Sequence, residues 1–297
     1  MSSLNFVQRV RQSQRQQQRL SIIIRWIIAV FLIIFAVFPV LWIVSASFNP
    51  ADTLATQTLI PRNASLDNYR ELFNSSLFPY WKSYWNSIKI SSITTILSIS
   101  ITTLAAFAFS RFRFNGRVTM LKGLLLIQVF PGLLAMVAIF LMISQIGEIS
   151  PRFGLDTHTG LILVYLGGAM GINIWLMKGF FDTIPRDIDE SAMVDGASHW
   201  QIFTQLLLPL MRPILIVVGI LSFIGTYGDF VLARVLLKST EQYTLMVGLQ
   251  IFTSGQFSQK WGQFTAGALL GALPVMIIYL LLQDQIVGGL TQGSVKG

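Results

Sequence analysis

Residues 22–46 read IIIRWIIAVFLIIFAVFPVLWIVSA. Coiled as a helix, this run exceeds the roughly 20 residues needed to cross a hydrocarbon layer of about 30 Å. It is too long for the apolar core of a cleavable signal peptide and ends without a small-residue cleavage site, so it reads as a retained anchor. Further apolar runs of the same kind follow. The pattern predicts six membrane spans, at 22–47, 85–110, 121–146, 160–181, 211–232 and 263–283. All are taken as helices, because an open strand edge would leave backbone groups unsatisfied in lipid. The predicted fold class is therefore an all-α integral membrane protein.

Composition agrees. Of the 297 residues 53% are hydrophobic and 11% charged, against roughly 25% charged in soluble domains. The absence of cysteine excludes a disulfide framework and thiolate chemistry.

The net charge of +8 is distributed as a membrane topology distributes it, which argues against a nucleic-acid partner. Arg9, Arg11, Arg15, Arg19 and Arg25 lie before or at the start of the first run, and Arg111, Arg113, Arg117 and Lys122 lie between the second and third. Short loops rich in Lys and Arg mark the cytoplasmic side. Six crossings place both termini on that side, together with 181–212. The loops 48–84, 147–159 and 233–262 fall outside, where Asp52, Asp67, Glu71, Glu148, Asp156 and Glu241 offset the basic residues. The chain divides into a basic cytoplasmic arm (1–21), a six-helix permease domain (22–287) holding a cytoplasmic loop at 182–210, and a cytoplasmic tail (288–297).

Trp42, Tyr80, Trp81, Tyr84, Trp85 and Trp261 cluster near the outer ends of spans, as an interfacial belt or as contacts for an extracytoplasmic partner. Pro39, Pro131 and Pro274 fall in or near spans. Pro131, within Phe130-Pro131-Gly132, is the strongest candidate for a functional helix break.

Several chemistries have no support. His158 and His199 fall on opposite sides of the membrane and cannot share a metal. No Gly-x-Ser-x-Gly elbow is present. The stretch 288–294 lacks the lysine of a phosphate-binding loop. The spans carry almost no acid. Asp229, toward the outer end of the fifth span, reads as a boundary residue paired locally, so ion coupling is not indicated.

The informative segment is the loop between the fourth and fifth spans. Asp187 reads as the N-cap of a short helix that Gly196 ends. Ile188, Ala192 and Met193 make an apolar stripe, and Asp187, Asp189, Glu190 and Asp195 an acidic opposite side. Ser198 reads as the cap of a second helix carrying Trp200, Phe203 and Leu207. Such a helix-break-helix, tied to two spans, suits insertion into a groove on another protein, whose movement it would pass on as a rigid push. The outer loop at 252–261 is the candidate for docking a second partner, with Phe252, Ser254, Gln256 and Trp261 as contacts, or else a plain flexible loop.

The order Glu190-Ser191-Ala192, three residues, Gly196, nine residues, Leu206, one residue, Leu208-Pro209 resembles the EAA loop of binding-protein-dependent ABC importer permeases. The usual form there is Glu-Ala-Ala, three residues, Gly, nine residues, Ile-x-Leu-Pro. Ser191 and Leu206 are the departures. The stretches 106–114, 130–132, 165–168 and 289–297 also resemble this family, most closely the smaller permeases of maltose/maltodextrin importers. The resemblance implies a type I, MetI-like permease fold. It also implies a heterodimer with a larger permease, a homodimer of ATPase subunits holding ATP and Mg, and an extracytoplasmic sugar-binding protein. This chain would be no enzyme and hold no cofactor itself. Asp187, Glu190, Ala192, Gly196, Leu208 and Pro209 would form the ATPase-coupling element. Another oligosaccharide or glycerol phosphate is the alternative cargo, and a secondary transporter or channel the alternative class. The Gln/Arg-rich N-terminal arm resembles nothing in the family and is expected only at the membrane surface.

Overall fold

The computed structural model describes residues 2–51, 58–75, 78–255 and 259–291, with side chains described from 18 to 285 within those ranges. The regular structure among them is helical: α1 (Ser2–Ser47), α2 (Asp67–Phe73), α3 (Tyr80–Arg111), α4 (Arg117–Val129), α5 (Gly132–Ile149), α6 (His158–Thr183), α7 (Arg186–Val194), α8 (His199–Leu210), α9 (Arg212–Tyr227), α10 (Val231–Leu236), α11 (Leu245–Leu249) and α12 (Trp261–Thr291). The helices α1, α3, α5, α6 and α12 are each long and apolar enough to span a membrane, and α8 with α9 makes a sixth candidate, bent by 75°. The six-span expectation is met on those terms.

The basic arm and the first apolar run form one helix, with Pro39 inside it. Nothing in its most apolar stretch is buried, although the helix packs along α12. The helix α3 is different. Ser83, Ser87, Ser91, Thr94, Ser98 and Thr102 recur on it every three or four residues and all are buried. Small side chains let helices approach closely where lipid offers no hydrophobic drive to associate, and α3 packs most extensively on α6 and then on α9. At their junction the buried amide of Asn173 donates to Ser98 Oγ and to Ser222 Oγ, each at 3.2 Å, tying α3, α6 and α9 together.

The single helix predicted at 121–146 is corrected to two. α4 stops at Val129 and α5 starts at Gly132. Phe130 and Pro131 are extended, with φ/ψ of −70°/126° and −61°/116°, because a proline ring forces the preceding residue out of the helical region and offers no N–H to the helix. Pro131 is thus a genuine break, whereas Pro274 lies inside α12. The fifth span is also shorter than predicted: α9 ends at Tyr227, and Gly228, Asp229 and Phe230 separate it from α10. Asp229 is paired locally, accepting from Tyr165 Oη at 2.7 Å and from the Ala233 N–H at 3.0 Å.

At the end of the bundle opposite α7, short elements close over the spans. The buried amide of Asn68 on α2 donates to the Ser47 and Asn49 carbonyls at 3.0 and 2.9 Å, satisfying acceptors at the end of α1. Asn86 donates to the carbonyls of Glu241 and Tyr243, and Ser87 Oγ accepts from the Leu245 N–H at 2.7 Å, so α3 holds the segment that leads into α11. Asp156, in the left-handed region at φ 60°, accepts from the N–H groups of Lys238 and Ser239 at 2.8 and 2.9 Å. That bond set joins the loop before α6 to the loop after α10.

Candidate functional site

The segment from 184 to 211 is built by local chemistry. Ile184 precedes Pro185 and is extended, φ −82° and ψ 121°, as the residue before proline must be. Pro185 is the N-cap of α7, with no side-chain cap. The expectation that Asp187 caps this helix is therefore corrected: Asp187 sits in the first turn, exposed, where a carboxylate is favoured by the helix dipole.

The end of α7 follows the expectation. Gly196 has φ +83°, its N–H bonds to the Met193 carbonyl at 3.0 Å, and the Ala197 N–H bonds to the Ala192 carbonyl at 2.9 Å. This is the Schellman arrangement, which needs a left-handed residue that glycine supplies without strain. Ser198 then caps α8 in a capping box with Gln201.

Within α8, residues 202–207 are π-helical, and the Leu208 N–H bonds to the Phe203 carbonyl. The next residue, Pro209, has no N–H to give. Widening the turn before it and bending by 75° into α9 is how the chain accommodates Pro209 and then Pro213. Leu208 and Pro209 therefore shape the corner between the loop and the fifth span.

Which face of α7 points outward differs from the sequence reading. Ala192 is buried in a cluster with Phe107 of α3, Phe181 of α6 and Ile202, Phe203 and Leu207 of α8. Asp189 is buried too, only 8% exposed, and so does not belong to an acidic outer face. The exposed surface carries Ile188, Met193, Val194 at 87% and Trp200 at 63%, with Asp187, Glu190 and Asp195 around them. It is an apolar tip with an acidic rim. Glu190 makes no ion pair with a described residue.

Asp189 is held by Arg111, the last residue of α3, through a 2.5 Å contact between Nε and Oδ2. The same guanidinium donates to the Phe181 carbonyl at 3.2 Å and the Ile184 carbonyl at 3.1 Å, at the end of α6. Arg186 of α7 donates back to the Ser110 carbonyl at 3.0 Å, and Ser110 Oγ donates to Asp182 at 2.7 Å. Burial raises the Asp189 carboxyl above its ordinary pKa, against the opposing pull of Arg111 and Arg186. Sequence reasoning missed Ser110, Arg111, Asp182, Arg186 and Asp189 as a group. The one signal the sequence offers for them is Arg111, which follows directly on the second apolar run and lies within the stretch 106–114.

The second candidate site, at the other end, is not assembled as expected. Phe252 is 2% exposed and packs edge-on against Phe78 at 5.9 Å, so it anchors its loop from within and offers no contact surface. Ser254 is exposed, Trp261 is half-buried with its Nε1–H bonded to Gln259 at 2.9 Å, and Gln256 lies outside the described residues. His158 bonds the Gln242 carbonyl at 3.0 Å and His199 packs against Phe112.

With this geometry in place, known proteins give it context. The sequence model of the family described as "Binding-protein-dependent transport system inner membrane component" matches residues 106–290. The chain is 44% identical over 272 residues to the maltose/maltodextrin transport system permease protein MalG of Vibrio vulnificus, covering 88% of this chain and 91% of that protein. It is 39% identical over 295 residues to MalG of Escherichia coli, covering 96% and 99%. It is 42% identical over 273 residues to the galactooligosaccharides transport system permease protein GanQ of Bacillus subtilis, covering 92% and 94%. In fold it resembles a chain of a bacterial ABC transporter involved in the import of the acidic polysaccharide alginate, with a TM-score of 0.74 and 24% identity over 90% of this chain and 96% of that one. A chain of the MetNI methionine ABC transporter is more distant, with a TM-score of 0.54 and 14% identity over 76% and 99%.

Proposed function

This chain belongs to the family of binding-protein-dependent transport system inner membrane components, and from that membership we propose that it is a permease subunit of an ATP-driven importer for maltose/maltodextrin. The observation that carries the mechanism is α7, a short helix with an apolar exposed tip that is rigidly clasped to the ends of α3 and α6. Its relatives named MalG support the cargo.

In this reading the end of the bundle that carries α7 faces the cytoplasm, with both termini. Ile188, Met193, Val194 and Trp200 enter a groove on a separate ATPase subunit, which holds ATP and Mg and performs the hydrolysis. Glu190 and Asp187 on the rim meet basic groups there, and Gly196 keeps the tip blunt by ending the helix. Closure of two such ATPase subunits moves the grooves together. The spans of this chain and of a larger partner permease then rock from inward-open to outward-open. The movement requires that ATP-bound ATPases favour one arrangement by differential free energy. The exposed surface near Ser254 and Trp261 docks an extracytoplasmic sugar-binding protein.

The likeness to GanQ favours a second cargo, a galacto-oligosaccharide, with the same machinery. ATP hydrolysis by the complex of this chain with its larger permease and ATPase subunits separates the two, when binding protein loaded with maltodextrin or with galacto-oligosaccharide is added. Stimulation by the maltodextrin form supports the reading. Stimulation by the galacto-oligosaccharide form alone moves the cargo. Absence of stimulation by either contradicts the sugar-import role.

A further inference from the structure

We propose that Arg111 is a positioning residue that fuses the ends of α3, α6 and α7 into one body, so that a push received by α7 reaches two spans at once. The inference rests on the coupling role proposed for α7 above. Covalently, α7 is joined to α6 only through Ile184 and Pro185, both extended, and it has no short chain path to α3. Yet α3 is the central helix of the bundle, packed on α6 and α9 more extensively than any other pair of elements. A device that ties α7 to α3 therefore decides whether a displacement of the loop moves the bundle or is absorbed at the Ile184-Pro185 joint.

Arg111 is placed to be that device. Its guanidinium forms an ion pair with Asp189 of α7, Nε to Oδ2, and donates from Nη1 to the Phe181 carbonyl and from Nη2 to the Ile184 carbonyl. It thus holds the helix after the joint, the helix before the joint and the joint itself. The side chain is only 7% exposed, so water does not compete for these bonds. Arg186 returns the grip from α7 to the Ser110 carbonyl, and Ser110 Oγ reaches Asp182 of α6. A planar fork with five donors can satisfy this spread of acceptors, whereas a lysine, as a single point charge, can reach one or two of them. A purely structural role, quenching exposed carbonyls at the end of α6, would need neither Asp189 nor the returning Arg186.

The chain has no cysteine, so spin labels can be placed at Ser191→Cys, exposed on α7 outside the apolar tip and acidic rim, and at Leu104→Cys on the exposed face of α3 in the full complex in nanodiscs. The expected result is a narrow distance distribution that is the same without nucleotide and with ATP. In Arg111→Lys and Arg111→Gln it broadens even without nucleotide, and sugar transported per ATP hydrolysed falls about tenfold. Loss of a merely structural residue would instead lower transport and hydrolysis together with the amount of complex. Asp189→Asn keeps both carbonyl bonds and gives a partial broadening, which serves if the Arg111 variants do not assemble. A wild-type distance that shifts on ATP, or a distribution that stays narrow in Arg111→Gln or in Asp189→Asn, overturns the proposal. If ATP changes nothing elsewhere in the wild-type complex, the coupling reading of α7 fails, while broadening in the variants still establishes the clasp.

Discussion

The ring of Phe78 lies against the backbone of Gly248 so closely that a Cβ at 248 would sit 1.9 Å from Phe78 Cε2. The ring is itself buried among Tyr80, Leu245, Leu249 and Phe252 and has nowhere to go. Gly248→Ala is expected to destabilise the protein by about 2–3 kcal/mol through overpacking, read as a lower thermal midpoint in detergent. Gly123→Ala on α4, where a Cβ would meet nothing within 4 Å, is the control and is expected to be neutral or to stabilise by about 0.5–1 kcal/mol.

At Gly196 the constraint is of another kind. A Cβ there would touch nothing within 4 Å, but φ is +83°. Gly196→Ala is expected to cost about 1–2 kcal/mol from the left-handed backbone alone, with Gly196→Asn costing less. The cost falls on the last turn of α7, so hydrogen exchange of the amides at 192–197 should quicken while α3 and α6 are unchanged.

Asn173 bridges three helices through Ser98 and Ser222. Asn173→Ala is expected to lower stability by about 1 kcal/mol, since hydrogen bonds between membrane helices are worth roughly 0.6–1.7 kcal/mol. Ser98→Ala and Ser222→Ala should each cost less, because the amide keeps its other acceptor. Chemical unfolding in mixed micelles reads the series.

Asp156 gives a pH dependence. Burial alone would raise its carboxyl, but the Ser239 hydroxyl, the N–H groups of Ser239 and Lys238 and the Lys238 charge outweigh that and hold it below its ordinary value of 3.8. A depressed carboxyl contributes stability that is complete above the unfolded pKa and lost as pH falls through the folded one. The junction between the loops before α6 and after α10 should therefore loosen below about pH 4. Asp156→Asn should be less stable at neutral pH and show a flatter acid limb when the thermal midpoint is measured against pH.

What the sequence revealed of the loop, and what it hid, divides along physical lines. Gly196 and Ser198 were legible because a left-handed stop and a capping box are made by residues a few positions apart. The break at Pro131 was legible for the same reason, although the apolar run at 121–146 continues across it and hides the division into two helices. The direction in which α7 faces was not legible. Nine residues with four apolar and three acidic side chains fit two orientations, and what decides between them is Arg111, distant in sequence and brought near only by the packing of α3 on α6. Phe252 misled likewise: an aromatic in a polar loop is a surface contact or an internal anchor according to whether a ring such as Phe78 waits beneath it.

The most direct test of the account is disulfide cross-linking of Val194→Cys in the assembled complex, with single cysteines placed along the groove of an otherwise cysteine-free ATPase subunit. The account predicts a cross-link that forms with or without nucleotide, because the tip of α7 stays seated while the groove moves. A complex that assembles and transports but gives no cross-link from Val194→Cys, while a cysteine elsewhere on the same end of the bundle does react, would contradict it.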